Sequence, residues 1–454
     1  MNILLVNPWI TDFAAYDFWV KPLGLLYAGA FLKQRGHTVR IVDCMDRFGN
    51  ATNGSVINGD NKYNTGKFRR EIIEKPACLS HVSRHFCRYG ISIDTFIALA
   101  NTGVRPDTIL VSSVMTYWYP GVVEAVSQLK DLFPGVPVIL GGIYATLCED
   151  HARELSGADV VAAGSSPSEI IHTVESAGPS EAGTDHPGAV TNDHFNDWPE
   201  PVWEVYGTLK TAMVLTTRGC PMNCTVCSSK ILFDGFERRD PAKSAREIIA
   251  LSQRGVGDIA FCDDALLIGT EKHAAILFET LIAEHSTVRL HTPNGLHIRE
   301  ITPKIAGLMK RAGVATVRLS LETASVERAD DFSNKVTRDE FTSAVEVLYA
   351  AGYEPDDLGS YIMVGLPGQT YGEVIDTINF VADNGVNIRP ALFSPVPGTV
   401  EFDRAVQFGM IRYDDDPVLH NNTIRTVDWF EGGKESYDEF SKRVSDANAR
   451  TRKK

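Results

Sequence analysis

Three cysteines fall within eight residues: Cys220, Cys224 and Cys227, in the run Thr217-Arg218-Gly219-Cys220-Pro221-Met222-Asn223-Cys224-Thr225-Val226-Cys227. This C-x3-C-x2-C spacing puts three thiolates on a short loop with Gly and Pro, where they can converge on one soft metal centre. A cubane cluster has four irons, so three ligands leave one iron open to bind and activate a substrate. A structural zinc would need a fourth ligand, usually from a second short-spaced pair, and residues 207–400 offer none. The His81/His85 pair, flanked by Cys78 and Cys87, lies far upstream. It is a candidate for a separate zinc site, with surface or packing roles as the plainer reading.

The loop must be held by what precedes and follows it. Residues 207–400 read as strands alternating with helical patterns, with strands expected over Ala212–Thr216, Asp258–Phe261, Arg289–Thr292, Thr316–Leu321, Ser360–Val364 and Ile388–Phe393. The cysteines then sit at the carboxyl end of the first strand, where ligands collect in parallel α/β sheets. Six βα steps do not fill an eight-stranded barrel, so the spacing predicts a partial, open-sided (β/α)6 barrel. Phe261-Cys262-Asp263-Asp264 ends the second strand. A carboxylate there is apt for a buried cation, and a helix N-cap is the alternative. Cys262 is read as strand packing. On the fourth strand, period-two alternation puts Arg318, Ser320 and Glu322 on one face, lining a site or forming a salt bridge.

Residues 1–175 form an earlier series, with strands expected over Ile3–Val6, Thr38–Val42, Thr108–Ser112, Val136–Leu140 and Val160–Ala163. Helical spacing over Leu23–Gln34 and Gly121–Leu132 completes a doubly wound parallel α/β sheet. Residues 47–107 interrupt it as an insertion, with seven Lys or Arg against two Glu between 62 and 90. Arg69, Arg70, Lys75, Arg84 and Arg88 are either a solvated face or an anion site for a substrate phosphate or carboxylate. Residues 176–206, rich in Gly, Pro, Ser and Asp, read as a linker. Residues 401–454 read as a short polar C-terminal tail.

Taken in order, these motifs resemble the radical S-adenosylmethionine (SAM) superfamily over roughly residues 205–400. The resemblance implies a [4Fe-4S] cluster on Cys220, Cys224 and Cys227. It implies that SAM chelates the open iron and is cleaved, on reduction of the cluster, to a 5′-deoxyadenosyl radical. Val226 stands beside adenine where the family usually has an aromatic residue. Asp263 or Asp264 replaces the Gly-Gly-Glu-like segment that receives the SAM ammonium. Ser320 and Glu322 correspond to contacts with ribose and carboxylate. Gly365, in Tyr361-Ile362-Met363-Val364-Gly365-Leu366-Pro367-Gly368-Gln369-Thr370, resembles the adenine strand and its exit turn. Ser394, in Phe393-Ser394-Pro395-Val396-Pro397-Gly398-Thr399, resembles the sixth-strand turn, and Thr292-Pro293-Asn294-Gly295 the third.

The first half resembles the cobalamin-binding domain fused ahead of many such barrels. Asn7-Pro8, Leu110-Val111-Ser112-Ser113-Val114-Met115-Thr116 and Ile139-Leu140-Gly141-Gly142 carry that resemblance. It implies cobalamin held by Asn7, Pro8, Trp9, Ser112, Ser113, Thr116, Gly141 and Gly142, with the small residues leaving room for the nucleotide tail. Loop 8–23 contains no His, which excludes lower-face ligation from it and leaves Trp9, Tyr16 and Trp19 to cover that face.

The expected activity is cobalamin-dependent methylation of an unactivated carbon on a small molecule or lipid, with electrons from a ferredoxin- or flavodoxin-type donor. Radical cyclisation, rearrangement or oxidation is the alternative. Methylthio transfer to RNA is disfavoured, because no basic RNA-binding module follows the barrel and no second cysteine trio marks another cluster. A non-catalytic redox or cobalamin sensor is the remaining class, and the SAM site argues against it. The net charge of 44 − 58 = −14 opposes a nucleic-acid partner. The start, MNILLVNPW, reads as a strand and not as a signal peptide. No run approaches the ~20 apolar residues that span a bilayer, so a cytoplasmic protein is expected. Eight cysteines in such a chain do not make a disulfide framework.

Overall fold

Short apolar runs become strands in both halves of the chain because packing helices bury them in parallel sheets. A computed structural model describes residues 1–49, 62–164, 166–178, 193–333, 336–424 and 437–451. Its packing divides into two units, Met1–Ala212 with Asp416–His420, and Met213–Asp415 with Asn421–Lys454.

In the first unit, β1 (Asn2–Asn7), β2 (Thr38–Asp43), β3 (Thr108–Ser113), β4 (Val138–Gly142) and β5 (Val160–Val161) make one parallel sheet, ordered β5-β4-β3-β1-β2. Strand order reverses between β1 and β3, so their carboxyl ends open a crevice there. Helix α1 (Leu23–Gln34) follows β1, α2 (Tyr119–Leu132) follows β3, and α3 (Pro167–Ala177) follows β5. Leu4, Val6, Val111, Leu140, Val122 and Val126 share one core.

The insertion is folded where it is described. Strands Ile10–Asp12, Arg70–Ile72 and Cys87–Tyr89 form an antiparallel sheet, and helix Ile93–Ala100 buries Phe96. Arg88 is not a solvated cation: it is buried and paired with Glu71 at 2.9 Å and with Glu124. Lys75 and Arg84 lie over the Phe13 ring, so part of the basic stretch is spent internally. Cys78 is exposed and Cys87 buried, and no group of three His, Cys, Asp or Glu among the described residues could hold a single metal ion. The zinc reading of that stretch has no support. The downstream half of the expected linker also packs. Phe195, Trp198 and Trp203 are buried, and Trp198 meets Tyr27 and Phe31 of α1 edge-on. Three large aromatic residues outweigh the turn-rich composition around them. Residues 179–192 lie outside the described chain.

The second unit is a six-stranded parallel sheet in sequential order: β6 (Thr211–Val214), β7 (Asp258–Phe261), β8 (Arg289–His291), β9 (Val314–Glu322), β10 (Leu358–Val364) and β11 (Asn387–Leu392). Helices α4 (Pro241–Gln253), α5 (Ala274–Ala283), α6 (Pro303–Arg311), α7 (Arg338–Ala350) and α8 (Tyr371–Asp383) alternate with the strands. This is the expected partial barrel.

The segment after 400 corrects its reading as a polar tail. It holds α9 (Val400–Gln407) and α10 (Tyr437–Thr451). Phe440, Val444, Ala447 and Thr451 are buried on one face of α10, a 4-3-4 spacing that makes an amphipathic helix. Asn448 accepts from Ile388 N at 2.6 Å and donates to Ile388 O at 3.1 Å. A side-chain amide thus completes the backbone pairing of edge strand β11. No described helix is long and apolar enough to cross a membrane.

Candidate cluster and cofactor sites

Beyond β6 the chain turns through Thr216 and Thr217 into the cysteine loop, and Asp263 sets that turn. Its buried carboxylate accepts from Thr216 N (3.1 Å), Thr216 Oγ1 (2.6 Å), Thr217 N (2.5 Å) and Thr217 Oγ1 (2.9 Å). Burial raises its pKa to about 6 against these hydrogen bonds. These four donors converge on Oδ1, and Oδ2 takes only Thr216 N at 3.2 Å, so Asp263 clamps the loop. Cys262 donates its N–H to Val214 O, and burial pushes its thiol up to about 12, as strand packing requires.

Asp264 faces the other way. It accepts Ser229 Oγ at 2.8 Å, while Ser229 N donates to Cys227 Sγ at 3.4 Å. Burial pushes the Asp264 carboxyl up. Cys220 is half-buried, and burial raises its thiol, helped by the negative forms of Cys227, Asp264 and Cys224 around it. The three thiols lie on one loop, and Ser229 links Asp264 to Cys227 within it. Bound cations would relieve the negative charge around Cys220, since a coordinated thiol gives up its proton outright. The sulfurs do not meet at a single-ion site. A cubane does not ask them to, because each thiolate takes a different iron. The donor set fits a cluster.

His297 was missed in the sequence. Its Nε2 lies 3.9 Å from Cys220 Sγ, and its only sequence signal was its place just after the third-strand turn.

Val226 and Cys224 pack against the cluster of Phe332, Leu366, Phe393 and Phe402, beside the exit turns of β10 and β11. Gly365 has φ +88°, and Gln369 Oε1 accepts its N–H at 2.7 Å. Ser394 is half-buried just past β11. Ser320 is buried, and a Cβ at Gly295 would collide with its hydroxyl, so the third turn lies against it. Glu322 ends β9 where the register with β10 shifts, with a left-handed φ of 65°. A non-glycine residue held there is strained, as residues at sites often are.

At the crevice of the first unit, Asn7 donates to Asp43 Oδ1 at 2.6 Å and Pro8 is buried. Ser113 Oγ donates to Met115 O, and Thr116 Oγ1 lies 3.4 Å from His420 Nδ1. Trp9 corrects its reading as a corrin cover. It is 1% exposed, donates Nε1–H to Ile91 O and packs on Phe96. Trp19 is likewise buried, with its Nε1–H given to Tyr63 O. The exposed apolar side chains on these strand-end loops are Phe18, Val20 and Met115. A Cβ at Gly142 would sit 2.5 Å from Ser112 Oγ and 2.7 Å from Ser113 O, whereas one at Gly141 would meet only Ala162 O, at 3.7 Å. Next to Ala162 lies a cleft of about 270 Å³, lined by Val161–Gly164, Ser166, Glu169 and Ile170 among others. A side chain at Gly141 would thus meet little, although Gly141 itself does not line that cleft. The residues at this crevice fit cobalamin.

Comparison with known proteins finds a family model for each half of the chain. The radical SAM superfamily model matches residues 214–381, and the B12 binding domain model matches residues 81–171. An uncharacterized methyltransferase, PH0819 of Pyrococcus horikoshii, is 26% identical over 220 residues, 48% of this chain and 44% of that protein. The chain thus spans less than half the length of that relative. Cytidylyl-2-hydroxyethylphosphonate methyltransferase of Streptomyces wedmorensis is 21% identical, over 99% of this chain and 90% of its own. The radical S-adenosylmethionine methyltransferase TsrM of Kitasatospora setae has the same fold, with a TM-score of 0.64 and 17% identity over 89% of this chain and 76% of that one.

Proposed function

We propose that this chain, which matches the radical SAM superfamily and B12 binding domain models, is a cobalamin-dependent radical SAM enzyme that methylates an unactivated carbon of a small molecule or lipid. The domains are those that take a [4Fe-4S] cluster, SAM and cobalamin. When bound, these supply hydrogen abstraction and a methyl group. The observation that carries the reading is the cysteine loop at the end of β6, where Ser229 donates its hydroxyl to Asp264 and its N–H to Cys227 Sγ while Cys224 and Val226 pack against Leu366 and Phe393.

The protein's share is placement. Cys220, Cys224 and Cys227 hold the cluster, and Asp263 fixes the turn that delivers them. Asp264 receives the SAM ammonium. Val226, with Leu366 and Phe393, gives adenine an apolar wall. Ser320, Glu322, Gly365 and Ser394 complete that pocket. Asn7, Pro8, Ser112, Ser113, Thr116, Gly141 and Gly142 form the cobalamin crevice, and Phe18, Val20 and Met115 offer apolar cover. A low-potential ferredoxin or flavodoxin supplies the electrons.

The test is anaerobic reconstitution followed by reduction with SAM and cobalamin present. Formation of 5′-deoxyadenosine and retention of cobalamin in equilibrium dialysis support the proposal. An intact cluster that never cleaves SAM would leave a sensor instead. With no His in loop 8–23, the EPR spectrum of bound cob(II)alamin should lack nitrogen splitting from a loop imidazole.

A further inference from the structure

The inner wall of the barrel carries three arginines, and the fold treats them differently. Arg289 on β8 is neutralised by Asp258, with Nε and Nη2 each 2.7 Å from a carboxylate oxygen. Arg318 on β9 gives Nη1 to the carbonyls of Val317 and Asp357. Arg389 on β11 has no hydrogen-bond or ion-pair partner among the described residues and is exposed, although its register places it inside the barrel.

That register is explicit. Ser320 pairs with Tyr361, and Tyr361 with Arg389, so the three form one row across β9, β10 and β11. One step below, Arg318 pairs with Gly359. The missing side chain there is filled by the arginines: a Cβ at Gly359 would lie 3.3 Å from both Arg318 Cδ and Arg389 Cγ. The Tyr361 hydroxyl is committed to Pro293 O at 2.7 Å and cannot serve Arg389. In a chain of net charge −14, an arginine on this wall with no carboxylate partner among the described residues is a departure from how Arg289 is handled. A guanidinium in that position offers a planar fork of donors matched to a carboxylate or phosphate.

We propose that Arg389 receives an anionic group of the substrate, a phosphate, phosphonate or carboxylate. The inference rests on the radical SAM reading for the existence of a substrate, and it narrows that substrate to one carrying a negative charge. The carboxylate of SAM is the competing source of the same chemistry.

The test uses the full chain with its cluster intact and SAM saturating, titrated calorimetrically with methylphosphonate and, separately, acetate. One of these anions should bind wild type, at least tenfold more weakly to Arg389→Gln, and with part of the affinity restored in Arg389→Lys. The SAM dissociation constant should match wild type in both variants. Binding of neither anion to wild type, or equal binding to wild type and Arg389→Gln, overturns the proposal. A tenfold loss of SAM affinity in Arg389→Gln also overturns it, because the cation then serves the SAM carboxylate. Cluster iron and 5′-deoxyadenosine formation report separately on the underlying enzyme reading.

Discussion

The Asp263 carboxylate accepts the Thr216 hydroxyl at 2.6 Å, and that hydroxyl in turn lies 2.8 Å from His273 Nε2. A relay of three buried side chains therefore fixes the turn that leads into the cysteine loop, and neighbouring Asp264 is left to face the thiols.

The two aspartates should separate in mutants. Asp263→Asn puts a donor against two backbone N–H groups and should cost about 1–3 kcal/mol of stability, the scale of a buried unsatisfied group, read by denaturant unfolding of the apo chain. Asp264→Asn should leave stability near wild type and weaken SAM binding by about 1–3 kcal/mol, the range for a charged hydrogen bond. Equal SAM affinity in Asp264→Asn and wild type would remove Asp264 from the site.

Replacing Cys220, Cys224 and Cys227 together with Ala should abolish the cluster. Wild type should hold about four irons in one cluster, and the variant none, by iron and sulfide analysis. Retention of the cluster spectrum in the triple variant would refute the ligand assignment. Cys262→Ala, by contrast, should keep the irons.

Gly141 and Gly142 should differ in kind. Gly142 combines φ +88° with a Cβ position 2.5 Å from Ser112 Oγ, so Gly142→Ala should destabilise the first unit itself. A side chain at Gly141 would meet little, so Gly141→Leu should unfold like wild type yet fail to retain cobalamin. Undiminished cobalamin binding in Gly141→Leu would place the nucleotide tail elsewhere.

Acid should weaken the second unit through His273. Burial, with Arg238 acting in the same direction, lowers its pKa to about 4, below the unfolded value of ~6.5. The fold then binds fewer protons than the unfolded chain, so this stabilisation is complete above about pH 6.5 and lost as pH falls toward 4. At ~1.4 kcal/mol per pH unit it amounts to roughly 3 kcal/mol. Asp263, raised to about 6, works the opposite way in part of this window. The difference between wild type and His273→Gln isolates the histidine, and a pH-independent difference would dismiss it.

The sequence by itself determined the cluster loop and the two βα series, because thiolate spacing and strand periodicity are local properties of the chain. The helix over Leu23–Gln34 and the strand over Asp258–Phe261 fall where the pattern put them. It expected Ser320 and Glu322 on one face by simple alternation, but the register shift between them and the left-handed φ of Glu322 break that alternation, pairing Ser320 with Tyr361 and Glu322 with the next residue, Ile362. It did not separate Asp263 from Asp264: adjacent acids look alike in one dimension, and only the packing of Thr216 and Thr217 shows which is consumed. Trp9 read as a cofactor cover because an aromatic residue after a strand can face either solvent or core, and Phe96 and Ile91, more than eighty residues away, decide which. The helix Tyr437–Thr451 was hidden in a polar composition, since its four buried residues matter only once edge strand β11 exists to be covered. His297 and Arg389 became visible for the same reason. Each is an ordinary residue until the fold sets one beside Cys220 and leaves the other without a partner among the described residues.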